Sequence, residues 1–197
     1  MRPQEGVPVS ETIEARRFVL KDERGLVRAE LAMVRDEPCL GLYDGNGVRR
    51  AELALTDEGP FLTLRDTNGK SRAALSALGD MPALDLYDAD KKPRAALVLL
   101  NRGPVLELRD SSSQSSALLA VDGSAPRLSL HSTDGKPYAA LAVHGEGPVL
   151  VLCDRGGSTA NLGATDVQSA KTGAKGWTSA ASLCLLDKDG NVVWRAP

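Results

Sequence analysis

Between residues 18 and 164 the chain runs in short stretches where every second side chain is apolar. Phe61-Leu62-Thr63-Leu64-Arg65 and Arg50-Ala51-Glu52-Leu53-Ala54-Leu55 are typical. Period two is the mark of a half-buried β-strand, and the stretches are too short and too often broken by turn residues for helix. The breaks are of two kinds. Asp44-Gly45-Asn46-Gly47 and Asp66-Thr67-Asn68-Gly69 read as hairpin turns. Their first-position Asp can accept the turn's own N–H groups, and Gly three residues on suits a left-handed position. The other kind is an X-Pro linker, with Pro opening the next strand, where its missing N–H matters least.

These units repeat without insertion or deletion. Pro38, Pro60, Pro82, Pro104, Pro126 and Pro148 stand 22 residues apart, as do Leu42, Leu64, Leu86, Leu108, Leu130 and Leu152. Asp22, Asp44, Asp66, Asp88, Asp110 and Asp154 keep the same register, with Ser132 in the one gap. The consensus is L-x-L-x-D-x-x-G-x-x-R-A-x-L. Tandem units of this length are the sign of a stacked repeat architecture. A second period of 44 lies inside the first: Gly-Pro linkers at 59–60, 103–104 and 147–148 alternate with Glu-Pro, Met-Pro and Ala-Pro. Successive hairpins therefore occupy two alternating environments.

The repeats predict an all-β fold. Residues 1–17 form a lead-in with a cap strand around Ile13-Glu14-Ala15, and 18–164 hold about seven units. Residues 165–182 read as an irregular loop, and 183–197 as a capping hairpin whose Trp194 stands where other units put Ala. Leu40, Leu42, Ala51, Leu53 and Leu55 share one face; Gly41, Tyr43, Arg50 and Glu52 share the other. An apolar face must be covered by another layer or another chain. The expected architecture is a β-solenoid or elongated two-layer stack in which alternate hairpins build opposite sheets. A trimeric β-spiral-like fibre module is the second choice and a β-propeller the third, because propeller blades bury both faces.

The opening IEARRFVLKDERGLVRAEL, the tandem units and the closing LLDKDGNVVWRAP resemble uncharacterised bacterial repeat proteins built from 22-residue β-hairpins. In that group similar units often follow an N-terminal hydrophobic anchor, which is not seen here. The resemblance implies a fold and carries no catalytic residues.

Composition narrows the function. Lys plus Arg number 24 against 26 acidic residues, a net charge of −2, with no basic surplus to displace the counterions of a nucleic acid. No apolar run is long enough to span a membrane. The start, MRPQEGVPVSET, has no apolar core, so the reading is that any export signal was removed or never existed. Cys39, Cys153 and Cys184 are too scattered for metal-ligand spacing, although Cys153 and Cys184 could meet if the last hairpin folds back. Asp187, Asp189 and Asn191 around Gly190 resemble the start of a calcium loop, but the bidentate Glu is missing and turn chemistry accounts for them. His131 and His144 lack a nucleophile constellation, and no phosphate loop or metalloprotease motif occurs. No metal, cofactor or catalytic residue is expected.

Two rows offer a candidate binding surface: Arg28, Arg50, Arg72 and Arg94, spaced as a comb for a polyanion, and Tyr43 and Tyr87 with His131, a glycan platform. Glu30 and Glu52 beside the arginines favour a salt-bridged face, and cross-strand packing explains the rings. The leading expectation is a non-enzymatic structural or scaffolding module of the bacterial cell envelope or surface. It would act through self-association, as a homo-oligomer and by analogy with fibre shafts a trimer, or through protein contacts. The alternative is a module binding a polyanion or glycan.

Overall fold

The computed structural model describes residues 12–133, 137–168, 175–178 and 182–196. Among them the regular structure is all β, in eighteen strands. Sixteen form one antiparallel meander in which each strand pairs with its neighbours in sequence. It runs from β1 (Arg17–Lys21), β2 (Val27–Val34), β3 (Glu37–Tyr43) and β4 (Arg49–Thr56) to β13 (Gly147–Cys153) and β14 (Thr159–Gly163). It closes with β17 (Leu183–Leu186) and β18 (Val192–Ala196). The elongated stack of hairpin repeats is therefore present, as one sheet that does not close into a barrel. Alternate hairpins extend the same layer instead of building opposite ones. The reason lies in the linkers, which are turns as tight as the hairpins and leave no crossover: Thr56 pairs Gly59 directly across Asp57-Glu58.

The hairpin turns follow their sequence closely. In the first, Gly25 donates its N–H to the Asp22 carbonyl, and the Asp22 N–H bonds the Leu26 carbonyl, both at 2.9 Å. The same pair closes the turns at Asp44, Asp66, Asp88, Asp154 and Asp187. The residue three after the Asp takes a left-handed φ, +78° at Gly47 and +75° at Gly69. Lys91 occupies that position in the fourth turn, at +63°. A side chain there costs about 1–2 kcal/mol. Lys91→Gly is therefore expected to stabilise the chain by about 1 kcal/mol, read as a higher urea midpoint with unchanged slope.

The 44-residue alternation resides in the linkers. Arg35, Gly79 and Gly123 open their linker turns at φ +52°, +55° and +62°. The intervening turns instead end on Gly59, Gly103 and Gly147, at +132°, +137° and +129°. The two kinds of turn stack on one another, Gly79 N–H bonding Glu58 O at 2.7 Å and Gly123 N–H bonding Arg102 O at 2.8 Å.

The two ends depart from the regular repeat in three places. Ile13-Glu14-Ala15 is not a strand: β1 begins at Arg17, opposite Ala32, and just before it the Arg16 carbonyl accepts from Met33 N–H at 3.1 Å. The seventh unit keeps a short second arm, β14, on β13. The 165–182 stretch contains a small hairpin of its own, β15 (Asp166–Gln168) with β16 (Lys175–Trp177). The Thr178 hydroxyl ties it to the sheet, donating to Gly163 O at 2.9 Å and accepting from Thr165 N–H at 3.0 Å.

The register aligns three unbroken apolar rows on one face. The central row passes through Leu31, Leu40, Leu53, Leu62 and Leu75 and onward to Leu183, Leu at nearly every strand. The row nearer the Asp turns alternates, Leu42, Ala51, Leu64, Ala73, Leu86. The row nearer the linkers alternates in the opposite sense, Pro38 and Pro60 flanking Leu55, Pro82 and Pro104 flanking Leu99. None of these rows holds a charged or polar side chain. Among the described residues nothing covers them: Leu53, Leu75, Leu97, Leu119 and Leu141 are about half exposed. The accessible surface is 13941 Å², against roughly 9,000 Å² for a compact chain of this mass.

Candidate functional site

Two faces are available for function, and they are built differently. The polar face is the more enclosed. Its small residues, Ala54, Thr63, Ala120 and Ser129, are buried beneath the long side chains around them. Gly41 shows how: a methyl there would stand 3.1 Å from the Tyr43 ring, which lies over the bare backbone.

The Arg row lies along the hairpin ends, where the register shifts after each turn. Arg28 Nε donates to the Tyr43 carbonyl at 3.1 Å and Arg50 Nε to the Arg65 carbonyl at 2.9 Å. Each thus straps its strand to the one beyond. The other arm turns back to its own hairpin, Arg28 to Asp22 and Arg50 to Asp44, both at 3.4 Å, with Arg94 3.9 Å from Asp88. The consensus Arg is thereby tied to the consensus Asp. Arg28, Arg50 and Arg94 keep only 40%, 37% and 30% of their side chains exposed, which supports a strut more than a comb.

Six of the turn aspartates are held ionised by their own loops. Asp22, Asp66 and Asp88 have carboxyls below the usual range, chiefly because the backbone N–H four residues on bonds the carboxylate. At Asp110 the Ser112 hydroxyl is the main cause, and at Asp187 the Asn191 side chain. Partial desolvation opposes this at Asp44 and is outweighed by the N–H groups of Val48 and Asn46. In the last turn Asp187 accepts from Asp189 N–H at 2.9 Å and from Asn191 N–H at 2.8 Å, so its oxygens are engaged in the turn. Among the described residues no cluster of three or more His, Cys, Asp or Glu is placed to hold a metal.

The aromatic row is sparse. Tyr43 and Tyr87 sit four strands apart, roughly 19 Å, and belong to different surroundings. Tyr87 stands near Asp85, and burial, then that charge, raises its phenol. Tyr43 belongs to a chain of polar contacts that sequence reasoning did not assemble. Its hydroxyl donates to Glu30 at 3.2 Å and accepts from Arg49 at 3.0 Å, and the Arg49 guanidinium lies 5.5 Å from the ring centroid. Arg49 reaches Glu52 at 2.6 Å, Arg65 reaches the other Glu52 oxygen at 2.7 Å, and Arg17 pairs with Glu30. The signal was present in the spacing: Arg17–Glu30, Tyr43–Glu30 and Arg65–Glu52 are each 13 residues apart, the diagonal of this register. Burial alone would raise the Glu52 carboxyl, but Arg65 and Arg49 hold it down. Glu52→Gln removes the charge shared by both arginines, at an expected cost of about 1–3 kcal/mol. A denaturant titration beside Glu107→Gln, which meets Arg109 alone, would show the difference.

Cys39, Cys153 and Cys184 are free thiols. Cys153 pairs Thr159 and Cys184 pairs Asn161, so β14 separates them.

The leucine face offers no chemistry, only a continuous apolar surface sixteen strands long. Comparison of the chain with protein-family models and with curated proteins finds no match.

Proposed function

We propose that this chain is a non-enzymatic structural module that works by self-association, a homo-oligomer whose repeat sets the length of the assembly. The observation that carries the reading is the uncovered leucine face. Soluble monomers rarely expose contiguous apolar patches beyond a few hundred Å², and three apolar rows, two of them crossing all sixteen strands, exceed that severalfold. Charged residues prominent in the sequence brace the fold instead: Arg28 and Arg50 bond turn carboxylates and neighbouring carbonyls. That supports a scaffold over a binder of polyanions or glycans.

If association covers the face, folding and assembly are one equilibrium. The urea midpoint should then rise as chain concentration is raised from 1 to about 100 µM. A midpoint that stays constant across that range would reject the reading.

A further inference from the structure

Resting on self-association through the leucine face, the geometry points to its arrangement: three copies around an axis parallel to the strand stack, leucine faces inward, as a triangular prism. The occupant of each face is thus the same chain. Two features of the apolar rows support this.

The first is the opposed alternation of the flanking rows. Any rotation axis along the stack sets the turn-side row of one copy against the linker-side row of the next. At most levels a bulky residue then meets a smaller one: Leu42 faces Pro38, Ala51 faces Leu55, and Ala95 faces Leu99, while Ala73 faces Ala77. An unrelated partner would need the same two-strand period along the whole stack. A second copy has it by construction, at the same level.

The second feature is the taper across each strand, which sets the number. The centre holds Leu at almost every level, whereas the turn-side flank alternates Leu with Ala and the linker-side flank places Pro on every second strand, with Leu55, Ala77 and Leu99 between. Two sheets packed flat are separated by a uniform gap of about 10 Å, which calls for equal volumes across the face. A triangular interior is deepest over the middle of each sheet and narrows to its corners. A seven-residue strand such as β3 is roughly 24 Å long. A triangle of that edge puts its axis about 7 Å from every sheet, within reach of a leucine side chain. Three central leucines then meet at the axis, while smaller residues fill the corners. The area suffices: rows sixteen strands long span roughly 70 Å by 20 Å per copy, well above the ~800 Å² per partner of a standard interface.

Light scattering coupled to size exclusion on the full chain tests the number. The expected mass is three times 20.8 kDa. Twice that value would overturn the prism while leaving self-association standing. The mass of a single chain would overturn both. The corner register has its own test. Ala51→Leu should weaken assembly about tenfold or more by overpacking the corner. Adding Leu55→Ala should restore most of that loss, because the two positions meet only between copies, being four residues apart on one strand. Failure of the double variant to recover, with wild-type chain measured in parallel, would overturn the proposed register.

Discussion

Gly103→Ala is expected to destabilise the chain by about 3 kcal/mol or more, through a collision that no side-chain movement relieves. Gly103 lies at φ +137°, a conformation that L-residues rarely adopt, and an added methyl would stand 1.9 Å from the Val121 carbonyl oxygen. That oxygen lies two residues before Gly123 of the neighbouring linker, stacked here through the bond from Gly123 N–H to Arg102 O. The backbone itself must therefore shift, and with it the pairing of the next unit. Gly59 and Gly163 face the same obstacle, 2.2 Å from Ala77 O and 2.1 Å from Pro148 O. The companion substitution Gly123→Ala meets nothing within 4 Å at φ +62°. It should cost only the ordinary left-handed penalty of about 1–2 kcal/mol. Urea midpoints of the two variants at matched chain concentration separate the linker classes. Equal losses would mean that the close approach at Gly103 is not part of the fold in solution.

Acid should unfold this protein over a narrow pH range, because the same titration is repeated along the chain. Asp22, Asp44, Asp66, Asp88, Asp110 and Asp187 are all depressed below the ordinary carboxylate value of 3.8 by turn contacts. A group whose folded value lies below its unfolded one contributes stability that is fully present above the unfolded value. That contribution is lost as pH falls through the folded value. Thermal midpoints should accordingly change little between neutral pH and about pH 5, then drop progressively below pH 4. Each turn is exposed and contributes modestly, so the effect is collective. Replacing Asp66 and Asp88 together by Asn should flatten the acid limb while lowering the midpoint at pH 7. An acid limb of unchanged steepness in that double variant would place the sensitivity elsewhere.

Much of the fold was legible because its causes are local. Alternation decides which side chains share a face, and Leu40, Leu42, Ala51 and Leu53 do share one. Asp and Gly at fixed offsets decide the hairpin turn, and Asp44 accepts from Asn46 and Val48 as its position suggests. The candidate site was legible only in part. The Arg row was visible as a spacing, but its bonds to the Tyr43 and Arg65 carbonyls depend on which strand comes next across the linker. The Tyr43–Arg49–Glu52–Arg65 chain stayed hidden for the same reason: a diagonal contact across strands needs the register before it can be counted.

The sequence by itself determined the strands of the repeat, the hairpin turns, the 22-residue unit, its 44-residue alternation and the two unlike faces, because each depends on residues within a few positions of one another. Only the tertiary structure decided that the repeat hairpins share one sheet, since that follows from linker turns closing at Gly59 and Gly103 against the Ala77 and Val121 carbonyls just before the next linker. It also decided which face is left open. Long Arg, Glu and Tyr side chains can lie down over small neighbours and satisfy one another, whereas half-exposed leucines have nothing among the described residues to lie against.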